Sequence, residues 1–278
     1  MPTSIPPPKN DVLLHLQQAH NFSLMSANQS LSFGRRLYRY KNGQQYCWLK
    51  TQLIPSTAEQ QIFAQAFKNE LQCYQFFAAQ NALFVLPNSI QIKSKDLEVE
   101  VGQYALHVLE AEALFSKQTS TFCLDDIIHR IFLALHALEE LHDLGYIHAD
   151  LKRSHWRLFQ GKAKLIDFEY CHQIGKPQQG MQATPRYMAP ELFRGQEKSI
   201  QSDLYALGII LLEWLSEVPL QADDYMGWAV LHCQHLKPDL SEAFNALLPF
   251  VQRLLIKQKA QRFNNVREAK YYLMTEIE

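Results

Sequence analysis

His148-Ala149-Asp150-Leu151-Lys152-Arg153-Ser154-His155, then Leu165-Ile166-Asp167-Phe168-Glu169, then Ala189-Pro190-Glu191, are the segments on which the fold turns. An apolar run of helical period leads into the first and a short apolar strand-like run into the second, so two aspartates flank a hairpin-like interval. Phosphoryl transfer needs such a pair, one carboxylate to orient a hydroxyl and one to hold the magnesium that bridges phosphates. A bland alternative makes His148-Ala149-Asp150 a turn cap after Gly145-Tyr146-Ile147. It leaves the second aspartate and the Ala-Pro-Glu unexplained.

The rest of the composition narrows the class. A chain of 278 residues can bury a sizeable core as one large domain or two lobes. Hydrophobic residues make up 47% and charged residues 20%, as in ordinary globular proteins. A net charge of -1 gives no electrostatic argument for nucleic acid or an anionic membrane. Five scattered cysteines without a C-x-x-C pair suit a reducing compartment. The start resembles no signal peptide, and the longest apolar stretch, Tyr205 to Leu215, is too short to span a membrane. The expected location is cytoplasmic.

Along the chain, residues 1–10 read as a flexible proline-rich tail. Alternating runs follow: Leu31-Ser32-Phe33, Leu37-Tyr38-Arg39-Tyr40 and Gln45 to Lys50, with a hairpin signal at Asn42-Gly43. Ser56 or Thr57 caps a helix to about Ala79, with Ile62, Phe63, Ala66, Leu71 and Tyr74 near helical spacing. Strands are expected at Ser89 to Ile92 and Glu98 to Glu110. Beyond Glu112 the pattern turns helical: from Asp125 or Asp126 until Gly145 stops it, from Asp203 to about Glu217, then Tyr225 to Cys233, Ala243 to Ile256 and Asn265 to Thr275. Sheet first and helices second suggests two lobes of different class with a cleft between them.

The quoted segments resemble the H-R-D-L-x-x-x-N, D-F-G and A-P-E set of the eukaryotic-like protein kinase superfamily, over roughly residues 30–273. Ala183-Thr184-Pro185-Arg186-Tyr187-Met188-Ala189-Pro190-Glu191 is similar to that family's substrate-docking loop, and Asp203-Leu204-Tyr205-Ala206-Leu207-Gly208 to the start of its central buried helix. The resemblance implies an α+β, bilobal protein-kinase-like fold: a small antiparallel-sheet N-lobe with one long helix over 11–111 and a larger, mainly helical C-lobe over 112–278. It implies ATP and Mg²⁺ (or Mn²⁺) as cofactors and a protein Ser/Thr hydroxyl as acceptor. By the same resemblance Asp150 orients the hydroxyl, Lys152 meets the γ-phosphate, Thr184 bonds to this pair, and Asp167 binds the metal. Lys50 holds the α- and β-phosphates, partnered by Glu70 with Glu59 as competitor. Leu109-Glu110-Ala111 form the hinge that meets adenine, Asp203 braces the catalytic loop, and Arg262 pairs with Glu191. Small-molecule kinases sharing the catalytic loop usually lack this docking loop and arginine.

Four departures qualify the resemblance. Only Gly34 survives of the phosphate-covering G-x-G-x-x-G, with Gln29 and Leu31 in the other places. His155 stands where a second metal-binding asparagine belongs. It is either a ligand suited to Mn²⁺ better than Mg²⁺, as part of a set with Asp167 and Glu169, or a hydrogen-bonding residue near Asp150. The same histidine resembles the catalytic loop of lipopolysaccharide-core sugar kinases, a rival reading. Glu169 replaces the glycine of D-F-G and can add a carboxylate to the metal site. Ala149 replaces the arginine that pairs with a phosphorylated activation loop, and the interval Tyr170 to Ala183 holds no Ser or Thr. Switch phosphate and receiving arginine are absent together, so activity independent of Ser/Thr phosphorylation in this loop is expected. A pseudokinase scaffold is the rival from outside enzymes; Lys50, Glu70, Asp150, Lys152 and Asp167, all kept in register, oppose it. His232 and His235 read as a surface pair on a helix, Tyr271-Tyr272-Leu273 as core, and the prolines at 6–8 as a stiff tail.

Overall fold

A computed structural model describes residues 22–92, 101–115, 119, 121–176 and 183–276, so the tail expected at 1–10 lies outside the described residues. The chain divides into two compact units, Met1–Gln80 with Val85–Ala111 and Asn81–Phe84 with Glu112–Glu278.

The smaller unit is a five-stranded antiparallel sheet and one long helix. In chain order come β1 (Ser23–Leu24), a one-turn helix α1 (Asn28–Ser32), β2 (Arg35–Asn42), β3 (Gln45–Leu53), α2 (Ala58–Ala79), β4 (Asn88–Ile92) and β5 (Val101–Leu109), with sheet order β1-β2-β3-β5-β4. The β2–β3 hairpin forms at the expected place. Asn42 pairs with Gln45, so the two turn residues are Gly43 and Gln44, with Gly43 at φ +59°. The Leu31-Ser32-Phe33 run is not a strand. Leu31 and Ser32 close α1, whose last carbonyls accept from Arg36 Nη1 (2.9 Å to Leu31) and Gln60 Nε2 (3.1 Å to Ser32). Gly34 follows at φ +83°, and a Cβ there would meet Gln52 Nε2 at 2.7 Å, so this turn needs glycine irrespective of any ligand.

Thr57 caps α2 by accepting from the Gln60 N–H. The helix buries Ala66, Phe67, Glu70, Leu71, Tyr74 and Phe77, whereas Ile62, read from spacing as a core position, is exposed. Arg35 ties the sheet to this helix: Nε donates to Gln52 Oε1 at 2.9 Å, Nη2 to the Phe63 carbonyl at 3.1 Å, and the guanidinium lies over the Phe67 ring.

The larger unit is mainly helical. The short strands β6 (Glu112–Ala113), β8 (Trp156–Phe159) and β9 (Lys162–Leu165) form one sheet in the order β6-β8-β9, and β7 (Tyr146–Ile147) pairs with β10 (His172–Gln173). α3 (Leu124–Asp143) buries Ile127, Ile131, Leu135, Leu138 and Leu141, packs on β9, and ends before Gly145 at φ +80°. α4 (Ile200–Ser216) starts three residues earlier than expected, its first turn fastened by Ser202, whose hydroxyl accepts from the Ser199 N–H at 2.9 Å and donates to the Ser199 carbonyl at 2.7 Å. It is buried nearly all round, and at Gly208 a Cβ would lie 2.8 Å from Leu255 and 2.9 Å from Leu254, so glycine admits the helix α6 (Leu248–Leu254) at close range.

α5 (Tyr225–Val230) passes into a π turn over Leu231–His235. That wider turn brings His232 into the core against Tyr205, so the expected surface histidine pair is corrected: His232 is buried and only His235 is exposed. α7 (Val266–Thr275), capped by Asn265, packs on α3; Leu273 is buried and Tyr272 meets Phe250 and Phe263, but Tyr271 is 70% exposed and not core. Among the described residues no helix is long and apolar enough to cross a membrane.

Each unit contains one buried tyrosine–histidine pair: Tyr40 Oη lies 2.7 Å from His107 Nδ1, and Tyr205 Oη 2.9 Å from His232 Nδ1. Burial pushes both imidazoles down to about 4, so they are neutral in the fold. A histidine depressed in the folded state favours folding above its unfolded value near 6.5 and loses that advantage as pH falls toward 4, because the unfolded chain takes up the proton first. Each unit should therefore lose roughly 2 kcal/mol between pH 7.5 and pH 5 from its histidine. Thermal unfolding at the two pH values checks this, and an unchanged Tm would rule it out.

Candidate active site

In the smaller unit, Lys50 on β3 reaches the buried carboxylate of Glu70 on α2, Nζ to Oε2 2.7 Å. Glu59 sits exposed in the first helical turn, so the choice between the two glutamates is decided by geometry. A lysine on a strand and a glutamate four turns into a helix fix each other, presenting an ammonium of defined position where phosphate oxygens could meet it. At the end of β5, the Leu109 N–H donates to the Pro87 carbonyl at 3.0 Å and the Glu110 N–H to Tyr46 at 2.9 Å. Two of the three expected hinge amides are thus engaged within the unit. Glu110 also accepts twice from Arg39, at 3.1 and 2.8 Å, and Arg39 lies over the Tyr46 ring. Gly34 is placed at the turn into β2.

In the larger unit, one carboxylate organises the catalytic-loop segment. Asp203, 2% exposed, accepts from the His148 N–H (2.8 Å) and the Ala149 N–H (2.9 Å), and its Oδ2 lies 3.1 Å from His142 Nε2. Burial pushes its pKa up, but the His142 bond and these amides outweigh that and the net direction is down, so Asp203 is an anion. The clamp explains how Ala149 holds φ +67°, a left-handed backbone that a residue with a Cβ adopts only under constraint. The residue after it is Asp150.

Asp150 is buried, and both its oxygens are held. Oδ1 accepts from the Thr184 N–H and Oγ1–H, each at 3.1 Å, and Oδ2 lies 2.9 Å from Lys152 Nζ. Burial lowers the Lys152 pKa, but Asp150 followed by Asp167 and Glu169 pulls it back and above its ordinary value. A small, shallow hollow opens here, walled by Ala183, Thr184, Tyr187, Met188 and Leu192. The segment from Thr184 to Glu191 is anchored along its length. Arg186 Nε donates to Glu213 Oε1 at 2.7 Å, and Arg262 forks onto Glu191 at 2.7 and 2.5 Å.

Asp167 follows β9 and also has a left-handed backbone, φ +68°. Its Oδ2 lies 3.1 Å from His155 Nε2. His155 is buried, its ring stacked on His148 with centroids 5.6 Å apart, and His148 is in turn 5.5 Å from Phe168. Burial pushes His148 down to about 4, and its Nε2–H donates to the Ile166 carbonyl. Residues 177–182 of the interval from Tyr170 to Ala183 lie outside the described residues.

Several site-shaping residues escaped sequence reading: Arg35 with Gln52, His142 behind Asp203, and Lys198. The Lys198 ammonium lies 5.5 Å from the Tyr170 ring centroid, and burial lowers its pKa despite the nearby Asp150 and Asp203 charges. None of these had a spacing signal, because each partner is distant in sequence.

A family model described as the protein kinase domain matches residues 57–272, more than three quarters of the chain, beginning after Gly34 and Lys50. The chain is 31% identical over 185 residues to the mouse serine/threonine-protein kinase PAK 4, covering 61% of this chain and 30% of that protein. It is 27% identical over 169 residues to the probable serine/threonine-protein kinase PknB of Lactococcus lactis, covering 59% of this chain and 27% of that protein. The chain thus spans less than a third of the length of these relatives. With its antiparallel-sheet unit, its mainly helical unit and this match, the chain belongs to the protein kinase domain family.

Proposed function

We propose that the chain is an ATP- and Mg²⁺-dependent protein kinase that phosphorylates Ser/Thr hydroxyls, working without Ser/Thr phosphorylation of its own activation loop and located in the cytoplasm. The observation that carries this reading is the environment of Asp150: a buried carboxylate on a clamped loop, fastened by Lys152 on one oxygen and Thr184 on the other.

A carboxylate held on both oxygens suits orienting an alcohol better than strong proton abstraction, and phosphoryl transfer asks for orientation first. Lys152, its positive charge secured by three carboxylates, supports placement of a γ-phosphate beside that alcohol. Lys50, fixed by Glu70, suits the α- and β-phosphates as a point charge. The donor set also fits a hard divalent ion: Asp167 and Glu169 offer carboxylate oxygens, and Asp167 is 30% exposed, within reach of solvent-borne nucleotide. Held there, the ion would supply positive charge that offsets charge developing on the phosphates. The anchored segment from Thr184 to Glu191, with its hollow beside Asp150, supports a peptide as the hydroxyl's carrier and argues against a sugar. Glycine loss around Gly34 reduces backbone contact with phosphates, so a weak KM for ATP fits the same reading.

Transfer of label from γ-labelled ATP to a generic basic protein tests the proposal. Mg²⁺ or Mn²⁺ should support transfer by the parent chain, and Asp167→Asn should reduce it by about 10²-fold or more. Equal labelling by parent and variant, or none by either, would overturn it.

A further inference from the structure

We propose that His155 is a hydrogen-bond donor that positions Asp167 and not a metal ligand, so that the nucleotide is bound with a single divalent ion. Protein kinases commonly place an asparagine here to hold a second ion. This inference rests on the kinase reading above and concerns how its metal site is built.

The histidine is immobilised from several directions. It ends a 3₁₀ turn over Arg153–His155 in which its N–H donates to the Lys152 carbonyl at 2.9 Å. Its own carbonyl accepts from the Ile166 N–H at 3.2 Å, just before the β8–β9 ladder begins with Trp156 opposite Leu165. One face of its ring lies against His148 at an interplanar angle of 29°. The ring therefore has little freedom to turn, and the surroundings of its two nitrogens decide what it can do.

Nε2 faces Asp167 Oδ2 at 3.1 Å, while Nδ1 is buried and has no hydrogen-bond partner among the described residues. A neutral imidazole carries one N–H, and a nitrogen bound to a metal cannot be the one that carries it. If Nε2 were the ligand, the proton would sit on Nδ1. Metal-binding histidines almost always give that second N–H to a carboxylate, a carbonyl or water. Nδ1 here is buried with no carboxylate or carbonyl acceptor among the described residues, so ligation would turn its N–H toward no receiving protein group and break the bond to Asp167 as well. With the proton on Nε2, the donor is satisfied by a carboxylate and only a lone pair is left buried.

Ligand chemistry points the same way, since imidazole is a poor partner for hard Mg²⁺. The role also has a use. Asp167 has a left-handed backbone that a side chain does not favour, and a donor on one carboxylate oxygen holds the orientation this backbone gives it. The expected three-residue metal set of Asp167, Glu169 and His155 thereby reduces to the two carboxylates, with His155 behind Asp167.

Counting and identifying the ion's neighbours tests this on the full chain. Mn²⁺ is titrated by electron paramagnetic resonance into the chain with a non-hydrolysable β,γ-methylene ATP, and electron spin-echo spectra are recorded on protein carrying ¹⁵N-labelled histidine. The expected result is one Mn²⁺ per chain, without the coupling of a directly bound histidine nitrogen. Two ions per chain, or a direct ¹⁵N-histidine coupling, would overturn the proposal while leaving the kinase reading intact. Absence of any nucleotide-dependent Mn²⁺ binding would instead remove the nucleotide site itself and this proposal with it.

Discussion

Asp150→Asn is expected to lower kcat for peptide phosphorylation by about 10²- to 10⁴-fold while changing the affinity for Mg·ATP by no more than about twofold. The substitution is nearly isosteric, and its carbonyl can still accept from the Thr184 N–H and hydroxyl, now at 3.1 Å from Oδ1. What changes is the other oxygen. An amide group turned toward Lys152 replaces an ion pair of 2.9 Å with two donors facing each other, so the half-buried lysine loses one of the three anions that raise its pKa. The hydroxyl loses its acceptor at the same time. Both losses fall on groups that act in the transfer step, so kcat and kcat/KM should drop together. Lys50 and Glu70 belong to the smaller unit, which leaves nucleotide binding a readout of the intact remainder. A variant retaining more than about a tenth of the parent kcat would show that Asp150 does not orient the acceptor.

The larger elements follow from residue patterns alone, the site only partly. Thr57 capping α2, Gly145 ending α3 and the mostly apolar run of α4 are local signals, and each element forms at its signal, α4 with three residues more at its start. Where local and distant forces compete, patterning misleads. The alternating Leu31-Ser32-Phe33 imitates a strand, but Gln60 and Arg36 supply acceptor-seeking side chains that hold the segment as a helical turn. The π turn after α5 adds a residue to one turn, so a histidine that a regular helix would expose is rotated inward onto Tyr205. Family resemblance, not periodicity, singled out Lys50 with Glu70 and Arg262 with Glu191, because spacing cannot pair residues on separate elements. It could not assign His155 a role: that depends on which nitrogen faces Asp167 and what surrounds the other, facts of packing against His148 and Ile166.

Arg262→Ala should destabilise the larger unit by about 3–5 kcal/mol, the range for removing one partner of a buried, fully bonded ion pair. The Arg262 side chain is fully buried and its donors are used on Glu191 Oε1 (2.7 Å) and Oε2 (2.5 Å) and on the carbonyls of Ile256 (2.6 Å), Gln201 (3.2 Å) and Lys257 (3.3 Å). Its guanidinium also lies over the Tyr205 ring at 4.8 Å. Alanine would leave the Glu191 carboxylate, itself 3% exposed, without its counter-charge and remove one donor from each of three carbonyls. Because most of the cost is that stranded anion, adding Glu191→Ala should recover part of it, and the double variant should be less destabilised than the sum of the singles. Arg262→Lys should rescue little, since an ammonium cannot fork onto both oxygens and reach the carbonyls as well. The denaturant midpoint measured for the parent and the four variants decides it: a loss below about 1 kcal/mol for Arg262→Ala, or strict additivity, would count against the account. The pair has a consequence for function, because Glu191 ends the segment that begins at Thr184 and holds Asp150. Under conditions where the variant remains folded, loosening that end should raise KM for a peptide substrate more than KM for ATP.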